Sequence, residues 1–171
     1  MTEKLVYKNK YLNITKSKDY YFYDENEIQV MILPVIDKEK FIFVKQYRKP
    51  LKKVTYEFPA GGCLNNKEKP IDAAIRELKE ETGISLSKKK INKLNTVSAN
   101  PQRQRKLVHI FLADINSKEL KNRNKVKSPE INAIEIKSFR EVISMFKNSK
   151  IVSGVVGFVF LNYLVNKKKI K

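Results

Sequence analysis

One helix with three glutamates on a single arc constrains this chain more than any other feature. Residues 70–82 read as helix. Pro70 stands in the first turn, where its missing N–H costs nothing, Ala73, Ala74 and Leu78 follow, and Gly83 is a good C-terminal stop. With Glu77 at the origin of a wheel turning about 100° per residue, Glu80 and Glu81 fall at about −60° and about +40°. Ile71, Ile75, Leu78 and Thr82 fall between about 100° and about 160°. The helix therefore offers an apolar face to a core and three carboxylates elsewhere. Like charges at these spacings repel, and a bound cation is the usual reason for keeping them. Carboxylate oxygens suit Mg²⁺ or Mn²⁺. With one Cys and one His in the chain, no zinc cluster is expected. Arg76, four residues before Glu80, is placed to pair with it and fix its rotamer. Glu68 can reach the same region, and the preceding glycines let backbone approach a metal. The competing reading is a solvated acidic face.

Composition weighs against that competing reading. The 171 residues carry 36 Lys and Arg against 18 Asp and Glu, a net charge of +18. Acid is scarce, yet it is concentrated on this arc. The positive excess predicts an anionic partner: phosphate esters, nucleic acid or an acidic membrane surface. Thirty of the basic residues are Lys and 15 residues are Asn, a bias that compositional drift also produces. Arg, with its fork geometry, is the commoner choice for specific phosphate contacts. At 42% apolar residues the chain is too hydrophobic for a disordered polycation. The single Cys63 excludes an intramolecular disulfide scaffold and suits a reducing cytosol.

Along the chain, strands are expected at residues 5–14, 19–23 and 28–36, the last broken at Pro34. A hairpin pairs 28–36 with 41–44, and 54–58 is a further strand. Pro59, Ala60, Gly61 and Gly62 read as a loop. Strands follow at 94–98, 107–113 and 131–136, with a basic surface excursion at 116–129. Residues 138–147 form an amphipathic helix with Phe139, Val142, Ile143 and Phe146 on its apolar face. The apolar run 151–165 falls short of the roughly 20 residues of a spanning helix. It reads as a buried C-terminal helix, with a peripheral membrane anchor as the minority alternative. Residues 1–10 are polar and charged with no apolar stretch after them, so no secretory signal is expected. One domain covers 1–171: N-terminal strands at 1–27, a core at 28–147, and a C-terminal helix with basic tail at 148–171.

Gly62 is followed after five residues by Glu68, and after seven more by Arg76-Glu77-Leu78-Lys79-Glu80-Glu81-Thr82-Gly83-Ile84. This stretch, 62–84, resembles the Nudix hydrolase family at every fixed position. The resemblance implies an α/β fold, an α/β/α sandwich around a mixed sheet, with the motif as loop–helix–loop. It implies Mg²⁺-dependent (or Mn²⁺-dependent) hydrolysis of a nucleoside diphosphate linked to another moiety. Glu77, Glu80 and Glu81 would be catalytic metal ligands, joined by the Gly61 carbonyl. Gly62, Glu68, Arg76 and Gly83 would support the motif. The attacking water would be activated by the metals, with one glutamate as base. Gln46-Tyr47-Arg48 and Glu57-Phe58-Pro59-Ala60-Gly61, with Pro101 farther on, resemble the branch that cleaves ADP-ribose and nucleotide sugars. From that branch Arg48, Glu57 and Pro101 are carried over as substrate-binding residues.

Two departures stand out. The loop before Glu68 is one residue longer than usual and has Lys67 where glycine is common. The loop after Asn100 lacks the catalytic glutamate expected of ADP-ribose hydrolases and holds Arg103, Arg105 and Lys106 instead. Arg103 and Arg105 there suit a phosphate-rich substrate. The first functional reading is hydrolysis of ADP-ribose or a nucleotide sugar to a nucleoside monophosphate and a sugar phosphate. The alternatives are hydrolysis of nucleoside triphosphates, dinucleoside polyphosphates or RNA 5′ ends, and a non-catalytic nucleotide- or RNA-binding module. A small-molecule nucleotide partner, a cytoplasmic location and a homodimer are expected, with nucleic acid as an optional partner. His109 is read as a core or supporting residue, and Cys63 has no partner for nucleophilic chemistry.

Overall fold

The computed structural model describes residues 2–65, 67–126 and 128–167. The strands are β1 (Glu3–Lys8), β2 (Leu12–Ser17), β3 (Tyr20–Glu25), β4 (Gln29–Ile36) and β5 (Lys40–Arg48). They continue as β6 (Lys53–Glu57), β7 (Ala60–Gly62), β8 (Ile91–Val97), β9 (Val108–Ile115) and β10 (Ile131–Ser138). The helices are α1 (Pro70–Thr82), α2 (Ser117–Lys121), α3 (Phe139–Lys147) and α4 (Gly154–Asn166).

β4 organises the molecule. From Val30 to Ile36 it is buried, which explains its nearly unbroken apolar sequence. Its period-two alternation feeds two cores. Met31, Leu33 and Val35 face the core that holds α3 and α4. Val30, Ile32 and Ile36 face the core beneath α1. The mixed sheet runs β10-β5-β4-β9-β8, with β6 beside β5 and β7 beside β4. β4 and β9 are parallel over Gln29–Ile36 and Val108–Ile115, and the other pairs are antiparallel. Helices thus cover both faces, as the sandwich expectation requires. Phe41 meets Phe160 and Tyr163 of α4 edge-on, at 5.1 and 5.6 Å, a geometry that aromatic quadrupoles favour. No helix among the described residues is long and apolar enough to cross a membrane.

Several boundaries differ from expectation. Residues 5–14 are two strands, because Asn9 turns the chain: its Oδ1 accepts from the Tyr11 and Leu12 N–H groups at 2.8 and 2.7 Å. β4 is not broken at Pro34. The Ile32 N–H donates to the Pro59 carbonyl at 2.9 Å, so the Pro34 nitrogen two residues on faces the same side. There it falls between the β7 pairing at Gln29, Val30 and Met31 and the β5 pairing at Val35 and Ile36, and no ladder bond is lost. Ala60–Gly62 is a short strand rather than a loop. The basic excursion contains α2, started by an Asn116–Glu119 capping box. Ser138 and Glu141 cap α3 in the same way.

β1, β2 and β3 form a separate three-stranded sheet. It joins the body through a Tyr23 N–H to Arg103 carbonyl bond of 2.8 Å and a bridge to Gln104. The basic tail beyond Lys167 lies outside the described residues, as do Asn66 and Lys127.

Candidate active site

Burial splits the three carboxylates. Glu77 and Glu81 are buried on α1 while Glu80 is exposed. The arc read from the wheel is therefore not a solvated face: two of its acids stand where α1 meets the sheet. Ile71 and Ile75, expected in the core, are only half-buried, and Ala73 and Ala74 take the tightest contact.

Arg76 binds this arrangement together. Its Nη1 donates to Glu77 Oε1 at 2.7 Å and to Glu80 Oε2 at 3.2 Å. Its Nε and Nη2 donate to the two Glu68 oxygens at 3.1 and 3.2 Å, and Nη2 also donates to the Gly62 carbonyl at 2.7 Å. Burial alone would lower the Arg76 pKa, but Glu68 and Glu77 outweigh it and raise it. The same bond to Arg76 holds Glu68 below the usual carboxylate range. Glu68 Oε2 accepts the Leu64 N–H at 2.6 Å, so the longer loop is clasped to the helix. At Gly61 an added Cβ would meet the Glu77 carboxylate, so a larger residue there would push that side chain aside. Gly83 ends α1 in the left-handed region at φ 75°.

Glu81 is the most perturbed group. Burial raises its pKa to about 8, with Glu77 and Glu57 adding to the effect, against the Ala60 N–H and Arg48. The Ala60 N–H donates to Glu81 Oε2 at 3.2 Å. Burial likewise raises Glu77, against the pull of Arg76. Glu57 is the contrast. Burial pushes it up, but a two-pronged Arg48 pair at 2.8 and 2.7 Å and the Thr55 hydroxyl at 2.6 Å hold it below the ordinary value.

Glu77 and Glu81 line one side of a cleft of about 380 Å³ with Ala60 and Gly61. Arg48, Gln46 and Gln29 form the strand wall, and Ser128 and Glu130 the far rim. Gln46, buried, donates from Nε2 to Glu130 Oε2 at 2.8 Å. Sequence reasoning missed Glu130. It sought an acid in the loop after Asn100, whereas the cleft takes its far carboxylate from the turn just before β10, where no local motif announces it.

Pro101, Arg103 and Arg105 are not brought to this cleft. Arg103 lies over Tyr20 at 4.6 Å and Arg105 over Phe22 at 3.9 Å, and Arg105 pairs with Glu3 at 2.9 Å. Pro101 and Arg105 line a different cavity, beside the N-terminal sheet. Cys63 is buried, and burial pushes its thiol up. His109 sits within β9, with burial and Lys93 lowering its pKa. Among the described residues no group of three or more acidic, His or Cys side chains stands arranged to hold a metal ion. Arg76 Nη1 instead bridges Glu77 and Glu80.

The NUDIX domain family matches residues 25–153, and the chain belongs to that family. Among curated proteins it is 44% identical over 85 residues to the ADP-ribose pyrophosphatase of Bacillus subtilis (strain 168), covering 50% of this chain and 44% of that one. It is 32% identical over 123 residues to the ADP-sugar pyrophosphatase of Mus musculus, covering 70% and 53%. It is 34% identical over 90 residues to the methanol dehydrogenase activator of Bacillus methanolicus, covering 53% and 47%. The chain spans about half the length of these relatives.

Proposed function

We propose that the protein hydrolyses the diphosphate bond of ADP-ribose or an ADP-sugar to AMP and a sugar phosphate, with Mg²⁺ or Mn²⁺ as cofactor. The observation that carries this reading is the cleft itself: buried Glu77 and Glu81 on one side, and Arg48 and Glu130 facing them. Two relatives named for ADP-ribose and ADP-sugar pyrophosphatase activity support the substrate class.

The donor chemistry fits a hard cation, which would take Glu77 and Glu80 from their bonds with Arg76. Glu77 and Glu81 present carboxylate oxygens in a space too dry for uncompensated charge, and Gly61 leaves backbone against Glu77. These two, with exposed Glu80 and the Gly61 carbonyl, would hold the ion. Such an ion, when bound, neutralises phosphate charge and acidifies a water. Arg48, oriented by Glu57, presents a cation to the diphosphate. Glu130, steadied by Gln46, takes the proton of the attacking water. As the water oxygen bonds to phosphorus, the bridging P–O bond breaks, and the departing phosphate keeps its electron pair.

The test is AMP release from ADP-ribose with Mg²⁺ by the wild type and by Glu130→Gln. A fall in kcat of about 10²-fold or more is expected. Unchanged kcat would remove Glu130 from the chemistry. No release by the wild type on any ADP-sugar would remove the substrate class.

A further inference from the structure

A second cavity, larger than the carboxylate cleft, opens elsewhere on the described surface. A groove of about 810 Å³ runs along the outer face of α1, between Asp72, Arg76, Lys79 and Glu80 on the helix and Asn124 and Lys125 on the segment before β10. Its charges do not cancel internally. Asp72 is taken by Lys88 at 2.7 Å, and Glu80 by Arg76 at 3.2 Å. Among the described residues Lys79 and Lys125 have no ion-pair partner, and they stand on opposite walls. Arg123, also exposed, lines the adjoining hollow with Lys125.

The far wall is fixed to the helix. The Asn124 N–H donates to the Gly83 carbonyl at 2.9 Å. At Gly83 an added Cβ would collide with the Asn124 carbonyl. The glycine that ends α1 thus also lets the lysine-bearing segment close against it. Two unpaired ammonium groups on walls whose backbones are tied together attract an anion more strongly than two lysines on independent segments, because less backbone freedom remains to be lost. The groove is also too large for a single phosphate, and Ile75 gives it an apolar patch.

We infer that this groove, which adjoins the carboxylate cleft through Arg76 and Glu80, is a binding site for an anion carrying several linked phosphates, with Lys79 and Lys125 as its contacts. The site needs neither turnover nor a divalent cation.

Inorganic tripolyphosphate is the probe, titrated calorimetrically into the full chain in EDTA at constant salt. The double variant Lys79→Ala/Lys125→Ala should weaken binding about tenfold. The charge-matched pair Lys118→Ala/Lys147→Ala, exposed on α2 and α3, should change it less than about twofold, by the same reasoning. Equal losses in both pairs would assign the binding to general surface charge and overturn the site, as would no loss in either. Glu81→Gln should leave the Kd unchanged. A marked gain in affinity there would put the anion in the cleft instead and refute the inference. Because no catalysis is read, this result stands or falls apart from the proposed hydrolase activity.

Discussion

Glu81 should make the metal-free protein less stable as pH rises, and Glu81→Gln should remove that penalty. Burial holds its carboxyl near 8 in the fold against an ordinary 4.5. Between those values the folded state binds more protons than the unfolded chain, so stability falls as pH rises through the window. The linkage integral gives a cost of under about 1 kcal/mol at pH 5 and about 4 kcal/mol at pH 8. Glutamine keeps the acceptor for the Ala60 N–H but cannot ionise. In urea unfolding with EDTA, the advantage of Glu81→Gln over wild type should therefore grow by about 3 kcal/mol between pH 5 and pH 8. With a slope near 2 kcal/mol per molar, the gap between midpoints widens by about 1.5 M. Glu77, raised in the same direction, titrates in both proteins and largely cancels. Mg²⁺ at pH 8 should stabilise the wild type more than the variant, since ligand binding to the folded state alone adds stability. An advantage that stays constant from pH 5 to pH 8 would show that Glu81 is not held protonated, and the account of its burial would be wrong.

Other perturbations follow from single contacts. Arg76→Ala strips the partner from Glu77 and Glu68 and should cost about 3 kcal/mol in chemical denaturation; a loss below 1 kcal/mol would mean the clasp is ornamental. Arg48→Ala leaves Glu57 buried and unpaired. Because Glu57 is held below its ordinary value, the penalty should be full at pH 7 and fade as pH falls below 4.5, which acid titration of the unfolding free energy reads directly. Gly83→Ala should lower Tm by several degrees through its positive φ and its collision with Asn124, and a neutral result would contradict the close approach. Phe160→Ala, which removes the ring packed on Phe41, should cost about 3–5 kcal/mol.

How much of this was legible beforehand depended on how local the cause was. α1 was read to the residue because its start, stop and apolar spacing all lie within its own sequence. α3 was legible within one residue from its apolar spacing, although Ser138, read as its first residue, is its cap. The Arg76 clasp was also readable, since Glu68 and Glu80 lie within one loop and one turn of it. The split between buried Glu77 and Glu81 and exposed Glu80 was not. A wheel orders residues around a helix, but which arc meets the sheet depends on β7 and β4 lying beneath it. Pro34 misled for the same reason: its tolerance depends on the gap between two partner strands. Glu130 and the displacement of Arg103 and Arg105 toward the N-terminal sheet are long-range placements, and neither residue type nor spacing carries them.

The most direct test of the central claim is phosphorus NMR of ADP-ribose incubated with the protein in ¹⁸O-water, with Mg²⁺ and then with EDTA. The account predicts AMP and ribose phosphate in equal amounts, one ¹⁸O on a product phosphate, and no reaction in EDTA or with Glu81→Gln. Intact ADP-ribose in the presence of Mg²⁺, or cleavage that persists in EDTA, would contradict it.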